Sequence, residues 1–148
     1  MSLNEQIEND LIEAIKEKDE NAVSTLRMLK SALHNKEIEI KKELEDTDII
    51  AVVQSQIKSR NDSIKMYEQG GRQELAEKEK KEIDILKKYL PEQMSEEEIK
   101  NIVDKTISDT GASSMADMGK VMGTLMPQLK GKADPSLVSQ IVKDSLSQ

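Results

Sequence analysis

The sequence predicts an all-α fold, in which an N-terminal part of four longer helices precedes a small C-terminal domain of three short helices. Apolar residues recur every three or four positions along almost all of the 148 residues, which is the spacing of one helix face. Aromatic residues make up only 1% of the chain, so the core must consist of Leu, Ile, Val, Met and Ala, which suit helices better than sheets. Three Pro and six Gly leave few turns and therefore long elements.

The four N-terminal helices are predicted from their apolar stripes and their ends. The second helix opens near Asn21, and Thr47 is the predicted N-cap of the third. The pair Gly70-Gly71 ends the third helix, and the fourth spans residues 72–90. The first helix carries its apolar residues at helical spacing, at Leu3, Ile7, Leu11 and Ile15.

A proline divides the chain into two predicted domains. Pro91 stops the fourth helix, because the residue before a proline is steered away from the helical conformation. The sequence therefore predicts an N-terminal domain over residues 1–90, a linker over residues 91–94 and a C-terminal domain over residues 95–148.

The three C-terminal helices are predicted from capping signals. Ser95 and Glu98 have the spacing of a capping box at the start of the fifth helix, and Gly111 ends that helix. Asp134 and Pro135 place an N-cap before a first-turn proline, which opens the seventh helix. The sixth helix carries a methionine stripe that we expect to lie mostly in the core: Met115, Met118, Met122 and Met126.

Groups that could perform catalysis or hold a metal are few. The chain has no Cys, which excludes disulfides, thiol catalysis and cysteine-ligated metal centres. The single histidine, His34, lies three residues before Glu37, but a helical di-metal site needs a second such pair. No serine lies in a nucleophile-elbow sequence. We therefore expect no catalytic residue, no metal and no cofactor, and we interpret His34 as a partly exposed helix residue.

The sequence also carries an expectation about location. Its first ten residues lack the basic and apolar regions of a secretory signal. The longest apolar run, Ile49–Val53, is too short to cross a membrane. We expect a cytoplasmic protein without a membrane partner.

Polar residues interrupt the apolar stripes of the second and third helices. Lys36 and Glu37 interrupt the second helix, and Arg60 and Asn61 interrupt the third. If the two helices form an antiparallel hairpin about residue 46, the two gaps lie close together. We interpret them as a buried polar layer that fixes the helix register, and a polar pocket is the alternative.

The fourth helix contains a charged run, EKEKKE, over Glu77–Glu82. Glu77 and Lys81 have the i, i+4 spacing that supports a solvated helix. We interpret the run as hydrated surface, and a helix that projects beyond the bundle to meet a partner is the alternative.

The charge distribution restricts where RNA could bind. The net charge of −7 repels nucleic acid at long range, so an RNA-binding site needs a local basic patch. Residues 111–143 hold four lysines and two aspartates and form a net-basic stretch. Two isolated tyrosines make no stacking platform for bases, so any bound RNA is expected to be folded and held through its phosphates and shape.

The most informative segment is DMGKVMGTLMPQLKGKADP, over residues 117–135. Gly119 and Gly123 lie four apart on one helix and leave room for another backbone to approach. Pro127 follows Gly123 by four residues, so its ring presses on the carbonyl of that glycine and favours a kink.

The turn over residues 130–132 leads directly into a helix N-terminus, where free amides and the helix dipole favour an anion. A phosphate bound there is one interpretation. The alternatives are that Asp134 takes those amides as N-cap and that Gly131 is a plain C-cap. The predicted RNA-binding residues are Gly119, Lys120, Lys130, Gly131 and Lys132.

The chain contains, in this order, LRMLKSAL, YEQGGRQELAEKE, ILKKYLPEQMSEEEI and DMGKVMGTLMPQLKGKADP. Together these blocks resemble the YqeY family over essentially the whole chain. The C-terminal domain is also similar to the tail of the GatB subunit of tRNA-dependent amidotransferases, whose pattern is matched at Gly119–Gly123 and Gly131–Asp134. The resemblance implies a tail that helps to hold tRNA, and it covers none of the catalytic parts of those enzymes.

The function expected from this resemblance is that of a non-catalytic tRNA-binding or tRNA-amidotransferase-associated accessory protein. Its expected partners are tRNA and tRNA-handling proteins. One alternative is a protein–protein adaptor without direct RNA contact. Another is a component of a glutamine-dependent carbon–nitrogen ligase complex, since the resemblance also carries that activity. The sequence leaves the oligomeric state open.

Overall fold

The computed structural model describes residues 2–147, and the regular structure in that range is entirely helical, which confirms the all-α prediction. A short 3-10 helix (Met115–Asp117) precedes the sixth α-helix. The α-helices are α1 (Leu3–Glu17), α2 (Glu20–Ile40), α3 (Asp46–Gln69), α4 (Gln73–Lys87), α5 (Glu96–Thr110), α6 (Met118–Leu129) and α7 (Pro135–Leu146).

Two helices begin earlier than the sequence predicted. Asp19 is the N-cap of α2, and its side chain accepts a hydrogen bond from the Ala22 amide, so the helix begins one residue before Asn21. The predicted N-cap at Thr47 is wrong because α3 already begins at Asp46. Glu45 is the N-cap of α3, and its own amide donates to Asp48 Oδ2 at 2.9 Å.

The fourth helix ends earlier than predicted, at Lys87. Beyond it, the Tyr89 amide donates to the Leu86 carbonyl at 3.2 Å and the Leu90 amide to the Lys87 carbonyl at 3.1 Å. These i, i+3 bonds form turns that carry the chain to Pro91, which cannot continue the helix.

The chain divides into two compact units, one ending at Leu90 and one beginning at Pro91. The main core of the N-terminal unit joins all four helices, and a second, smaller apolar cluster lies between α3 and α4. The core of the C-terminal unit joins α5, α6 and α7 in one continuous cluster. The fully buried residues of that cluster are Ile99, Val103, Val121, Leu125, Val138 and Val142.

The capping signals of α5 and α7 place these two helices as predicted, whereas α6 begins only at Met118 and leaves Met115 in the preceding 3-10 helix. Ser95 Oγ accepts a hydrogen bond from the Glu98 amide at 3.2 Å, and Gly111, at φ 70°, ends α5 in the left-handed conformation. Asp134 is the N-cap of α7, and Pro135 occupies its first turn. Within residues 2–147, no helix has both the length and the apolar character needed to cross a membrane.

Candidate nucleic-acid interface

Helix α6 has a buried side and a bare side. Val121, Leu125 and Leu129 are buried in the core, at the i, i+4, i+8 spacing of one helix face. Gly119, Gly123 and Pro127 follow the same spacing on the opposite face and are exposed. This outward face, with Lys120 at its border and Lys130 after it, is called the glycine face below.

The glycine face has no side chain over its backbone. A Cβ built on Gly119 or on Gly123 meets nothing within 4 Å in the described part of the chain. Neither glycine has a positive φ, so neither the packing nor the backbone conformation requires glycine there. Glycine in a helix costs about 0.5–1 kcal/mol relative to alanine, so a stabilising substitution is available at Gly119.

Gly123 has one internal explanation that Gly119 lacks. Pro127 lies inside α6, four residues after Gly123, where its missing amide leaves the Gly123 carbonyl without its helical donor. A glycine at this position eases the fit of the proline ring. Gly119 has no such neighbour, so it is the residue that most needs an explanation from outside the helix.

Lys120 lies at the border of the glycine face and bridges two helices. Its Nζ donates to the Thr110 carbonyl at 3.1 Å, at the C-terminal end of α5, where a cation complements the helix dipole. Asp117 accepts hydrogen bonds from the Ser113 and Ser114 amides. These bonds, together with the charge of Lys120, lower the pKa of the Asp117 carboxyl. Lys120 is therefore partly committed to holding the unit together.

Lys130 and Lys132 lie in the turn that follows α6. Both are exposed, and within residues 2–147 neither side chain has an acidic partner. Lys130 continues the spacing of Gly119, Gly123 and Pro127 at i+11, so it lies on the side of the glycine face. These two lysines are the cations of the predicted set that are available to an anion.

Gly131 is buried between these two lysines. Its φ of 81° lies in the region that glycine adopts without strain, and its carbonyl accepts a hydrogen bond from Gln93 Nε2 at 2.8 Å. The Met94 amide donates to the Lys132 carbonyl at 2.9 Å. Gly131 thus shapes and anchors the turn, whereas the C-cap of α6 is Lys130.

The N-terminus of α7 is already occupied. Asp134 Oδ1 accepts a hydrogen bond from the Ser136 amide at 3.0 Å, and Pro135 has no amide to offer. A bound phosphate at this end would compete with the Asp134 carboxylate. The structure therefore favours the lysine side chains over the helix N-terminus as the groups that meet an anion.

The methionine stripe lies at the edge of the core. Met118, Met122 and Met126 are half-buried and pack against the core of the C-terminal unit, whereas Met115 is 41% exposed. The prediction that the stripe lies mostly in the core is therefore only partly correct: Met118, Met122 and Met126 pack at the edge of the core, and Met115 is exposed.

The N-terminal unit contains a charged cluster that the sequence located only in part. Arg60 of α3 is buried, as its gap in the apolar stripe predicted, but Asn61 of the same gap is exposed. Its Nη1 donates to Glu82 of α4, which is also buried, and to Glu79 Oε2 at 3.1 Å. Lys36 and Glu37 do not face it: Glu37 is exposed, and Lys36 pairs with Glu39 at 3.4 Å. The polar layer therefore joins α3 to α4 rather than to α2.

The charged run of α4 is hydrated in most but not all of its positions. Glu77 pairs with Lys80 at 3.3 Å rather than with the predicted Lys81, and both side chains are exposed. Glu82 and Glu79 are the exceptions because both face Arg60: Glu82 is buried and Glu79 is partly buried. No sequence signal separated these two positions from the other charges of the run.

His34 is exposed on α2, as is Glu37. Within the described residues, no group of three or more His, Asp or Glu side chains could hold a metal ion.

Comparison with known families gives a match over nearly the whole chain. The family model described as Yqey-like protein matches residues 4–146. This is the family that the four sequence blocks resemble.

Three of the individual relatives come from fungi. A protein of Pyrenophora tritici-repentis, named Altered inheritance of mitochondria protein 41, mitochondrial, is 30% identical over 94% of this chain and 78% of its own length. A protein of the same name from Candida glabrata is 34% identical over 58% of this chain and 48% of its own length. An uncharacterized protein of Schizosaccharomyces pombe is 30% identical over 60% of this chain and 72% of its own length.

These relatives contradict one expectation. The sequence predicted a cytoplasmic location, but the relatives from Pyrenophora tritici-repentis and Candida glabrata are named as mitochondrial proteins. That prediction rested on the composition of the first ten residues, which does not distinguish the cytoplasm from an organelle.

Proposed function

The chain belongs to the Yqey-like protein family, and from that premise we propose that it is a non-catalytic accessory protein that binds tRNA or acts with tRNA amidotransferases. In this proposal the C-terminal unit contacts the RNA. Lys130 and Lys132 meet phosphates, and the glycine face admits the sugar-phosphate backbone.

The observation that carries the proposal is the bare backbone of α6 beside free cations. Gly119 makes the helix less stable than alanine would. Nothing in the described part of the chain occupies the space beside it. A partner that approaches the helix backbone closely would give this glycine a use. Lys130 lies on the same side of the helix and Lys132 follows in the turn, and both are exposed, so that partner should be anionic.

The chemistry of this surface fits folded RNA better than unpaired bases. Both tyrosines lie in the N-terminal unit, so the C-terminal unit has no ring on which a base could stack. Lysines and bare backbone recognise phosphate positions and the shape of a duplex rather than base edges. The proposal therefore predicts that the affinity for RNA depends strongly on salt concentration and little on the RNA sequence.

The test is a filter-binding titration with total tRNA at several salt concentrations. The variant pair is K130A/K132A, with K105A/K143A as the control, because all four lysines are exposed in the C-terminal unit and both variants remove two charges. Removing one lysine that binds a phosphate should lower the slope of log affinity against log salt by about 0.9 on duplex sites and by less on single strands.

The expected result is a shallower slope for K130A/K132A and a slope near wild type for K105A/K143A. Equal slopes for the two variants would show that general charge, not this surface, attracts the RNA. Lys120 is left out of the variant because its bond to the Thr110 carbonyl would mix an effect on binding with an effect on stability.

A protein–protein adaptor is the second candidate. The observation that favours it is the set of exposed apolar side chains on the N-terminal unit, including Ile15 and Met28. The absence of tRNA binding at low salt, where electrostatic attraction is strongest, would leave the adaptor as the function to pursue.

A further inference from the structure

A groove of about 790 Å³ lies between α1 and α2 on the outside of the N-terminal unit. It is distinct from the surface proposed for RNA, which belongs to the C-terminal unit. Its lining includes Ile15, Lys18, Val23, Arg27, Met28 and Ala32.

The groove exposes apolar side chains side by side. Ile15 of α1 is 48% exposed and Met28 of α2 is 54% exposed, and both line the same groove. Single apolar residues on a surface need no explanation, but adjacent ones that share a groove are typical of interaction sites.

One ridge of α2 along this groove carries no charge. Ser24, Met28, Ser31 and Asn35 follow at i, i+4, i+7 and i+11, the spacing of a single helix face. Ile38 continues the ridge and is 62% exposed. Charged residues make up 34% of the chain, so an uncharged ridge four turns long departs from the rest of the surface.

The centre of the groove is held in place from below. Arg60 Nη2 lies 3.6 Å from Met28 Sδ, and Arg60 is itself fixed by Glu79 and Glu82. A methionine is normally adaptable, and this contact restricts it. Because this contact limits the conformations of the Met28 side chain, that side chain loses less conformational entropy when a partner binds.

The charges on the lining are mostly positive. Lys18 and Arg27 stand against one acid, Glu20. In the described part of the chain, neither cation forms an ion pair. A molecule with a net charge of −7 thus leaves two cations unpaired beside this apolar groove, which favours an acidic occupant.

We propose that this groove docks an amphipathic helix of a partner protein. Apolar side chains at i, i+3 or i+4 and i+7 would cover Ile15 and Met28, and acidic residues on either side would pair with Lys18 and Arg27. A groove between two helices is the form that such helix-in-groove recognition takes. A second copy of the chain fits less well, because a two-fold interface centred on Met28 brings Arg27 close to its own symmetry mate.

The test is a selection from a library of random 16-residue peptides displayed on phage, with the full-length protein immobilised. Three variants accompany the wild type. M28E places a charge at the centre of the groove, and M66E places the same charge on Met66 of α3, which is 72% exposed and lies outside the groove. K18E/R27E reverses both exposed cations without touching the core.

Wild type and M66E should enrich peptides whose apolar residues have helical spacing and whose flanks are acidic. Recovery of these peptides should fall at least tenfold on M28E. On K18E/R27E the enriched flanks should change from acidic to basic, which also keeps the test valid if M28E disturbs the contact with Arg60.

Enrichment that is equal on wild type and M28E, or flanks that do not respond to K18E/R27E, would overturn the proposal. So would a dimer in sedimentation experiments that M28E abolishes, because the occupant would then be a second copy. Binding of tRNA by M28E should stay within twofold of wild type, so the groove and the RNA surface can fail independently.

Discussion

The two units differ in whether charged side chains are buried in them. The N-terminal unit buries Arg60 and Glu82 between α3 and α4. The C-terminal unit buries no charged side chain among its described residues, and its buried polar residue is Thr106. The N-terminal unit has a main core and a smaller apolar cluster between α3 and α4, with Ile57 packed against both, whereas the C-terminal core is a single cluster.

The unusual residues of the two units therefore have different roles: those of the N-terminal unit fix the helix arrangement, and those of the C-terminal unit are available for binding. A buried ion pair adds little net stability, but it penalises every arrangement that leaves one partner alone. In the N-terminal unit the unusual residues therefore act on the fold itself, by selecting one register of α3 against α4. In the C-terminal unit the unusual residues, glycine and lysine, lie outside the core and are available to a ligand.

The largest expected effect comes from breaking the buried pair. Arg60→Met leaves Glu82 buried without its cation, which typically costs about 3–5 kcal/mol. Hydrogen exchange should show this destabilisation in amides of α3 and α4, and amides of α5, α6 and α7 should keep their wild-type protection.

A double variant sharpens the same comparison. Arg60→Met with Glu82→Leu removes both charges from the core, so stability should return most of the way to wild type. Glu79 tolerates the change because it retains access to water. If the single variant is destabilised by less than about 1 kcal/mol, below the range for such pairs, the cluster is not a constraint on the fold.

A second, smaller effect concerns Tyr89, which is buried in the N-terminal unit. Burial, together with its hydrogen bond to Asp10 Oδ2 at 2.5 Å, raises the pKa of the Tyr89 hydroxyl. A raised pKa in the folded state means that folding favours the protonated form. Its contribution to stability is therefore complete below the unfolded pKa of about 10 and is lost as the pH rises above it.

Urea denaturation between pH 8 and 11 measures this effect. Tyr89→Phe should cost about 1 kcal/mol at pH 8, as one hydrogen bond does, and should weaken the decline in stability above pH 10. Tyr67→Phe is the matched control. It leaves Tyr89 as the single tyrosine, so absorbance of the phenolate reports its ionisation directly. A Tyr89 midpoint near 10 in the folded variant would contradict the assignment.

The sequence predicted the helices well because periodicity and caps are local signals. Ser95, Gly111 and Asp134 end or begin helices where they were expected to. The buried cluster was predicted only from the side of Arg60, because its gap lies inside a clear apolar stripe. Glu82 was missed because all six residues of the run are charged, so no difference in polarity shows which of them faces the core.

The candidate sites depend on surface geometry, which the sequence predicts only in part. The spacing of Gly119 and Gly123 predicted room for a close approach, and the structure places open space there. Gly131 was assigned to the same set although its role in the turn is internal. The α1–α2 groove was not predicted, because Met28 is as apolar as its buried neighbours Leu26 and Leu29. Nothing in the residue type shows that it faces outward.

The smallest expected effect tests whether the C-terminal unit keeps glycine for an outside partner. Gly119→Ala should stabilise the protein by about 0.5–1 kcal/mol, since the new methyl group meets open space and the backbone is helical. Gly111→Ala is the control, because its added methyl group also meets nothing within 4 Å but its φ is 70°. It should destabilise by about 1–2 kcal/mol.

Stability and binding then separate for the two variants. If Gly119 serves a close approach by RNA, Gly119→Ala should raise the denaturation midpoint and weaken tRNA binding in the same preparation. Gly111→Ala should lower the midpoint and leave the affinity of the folded protein unchanged. A Gly119→Ala protein that is more stable and binds tRNA as well as wild type would show that tRNA does not approach the bare backbone, and the lysines alone would then form the contact with RNA.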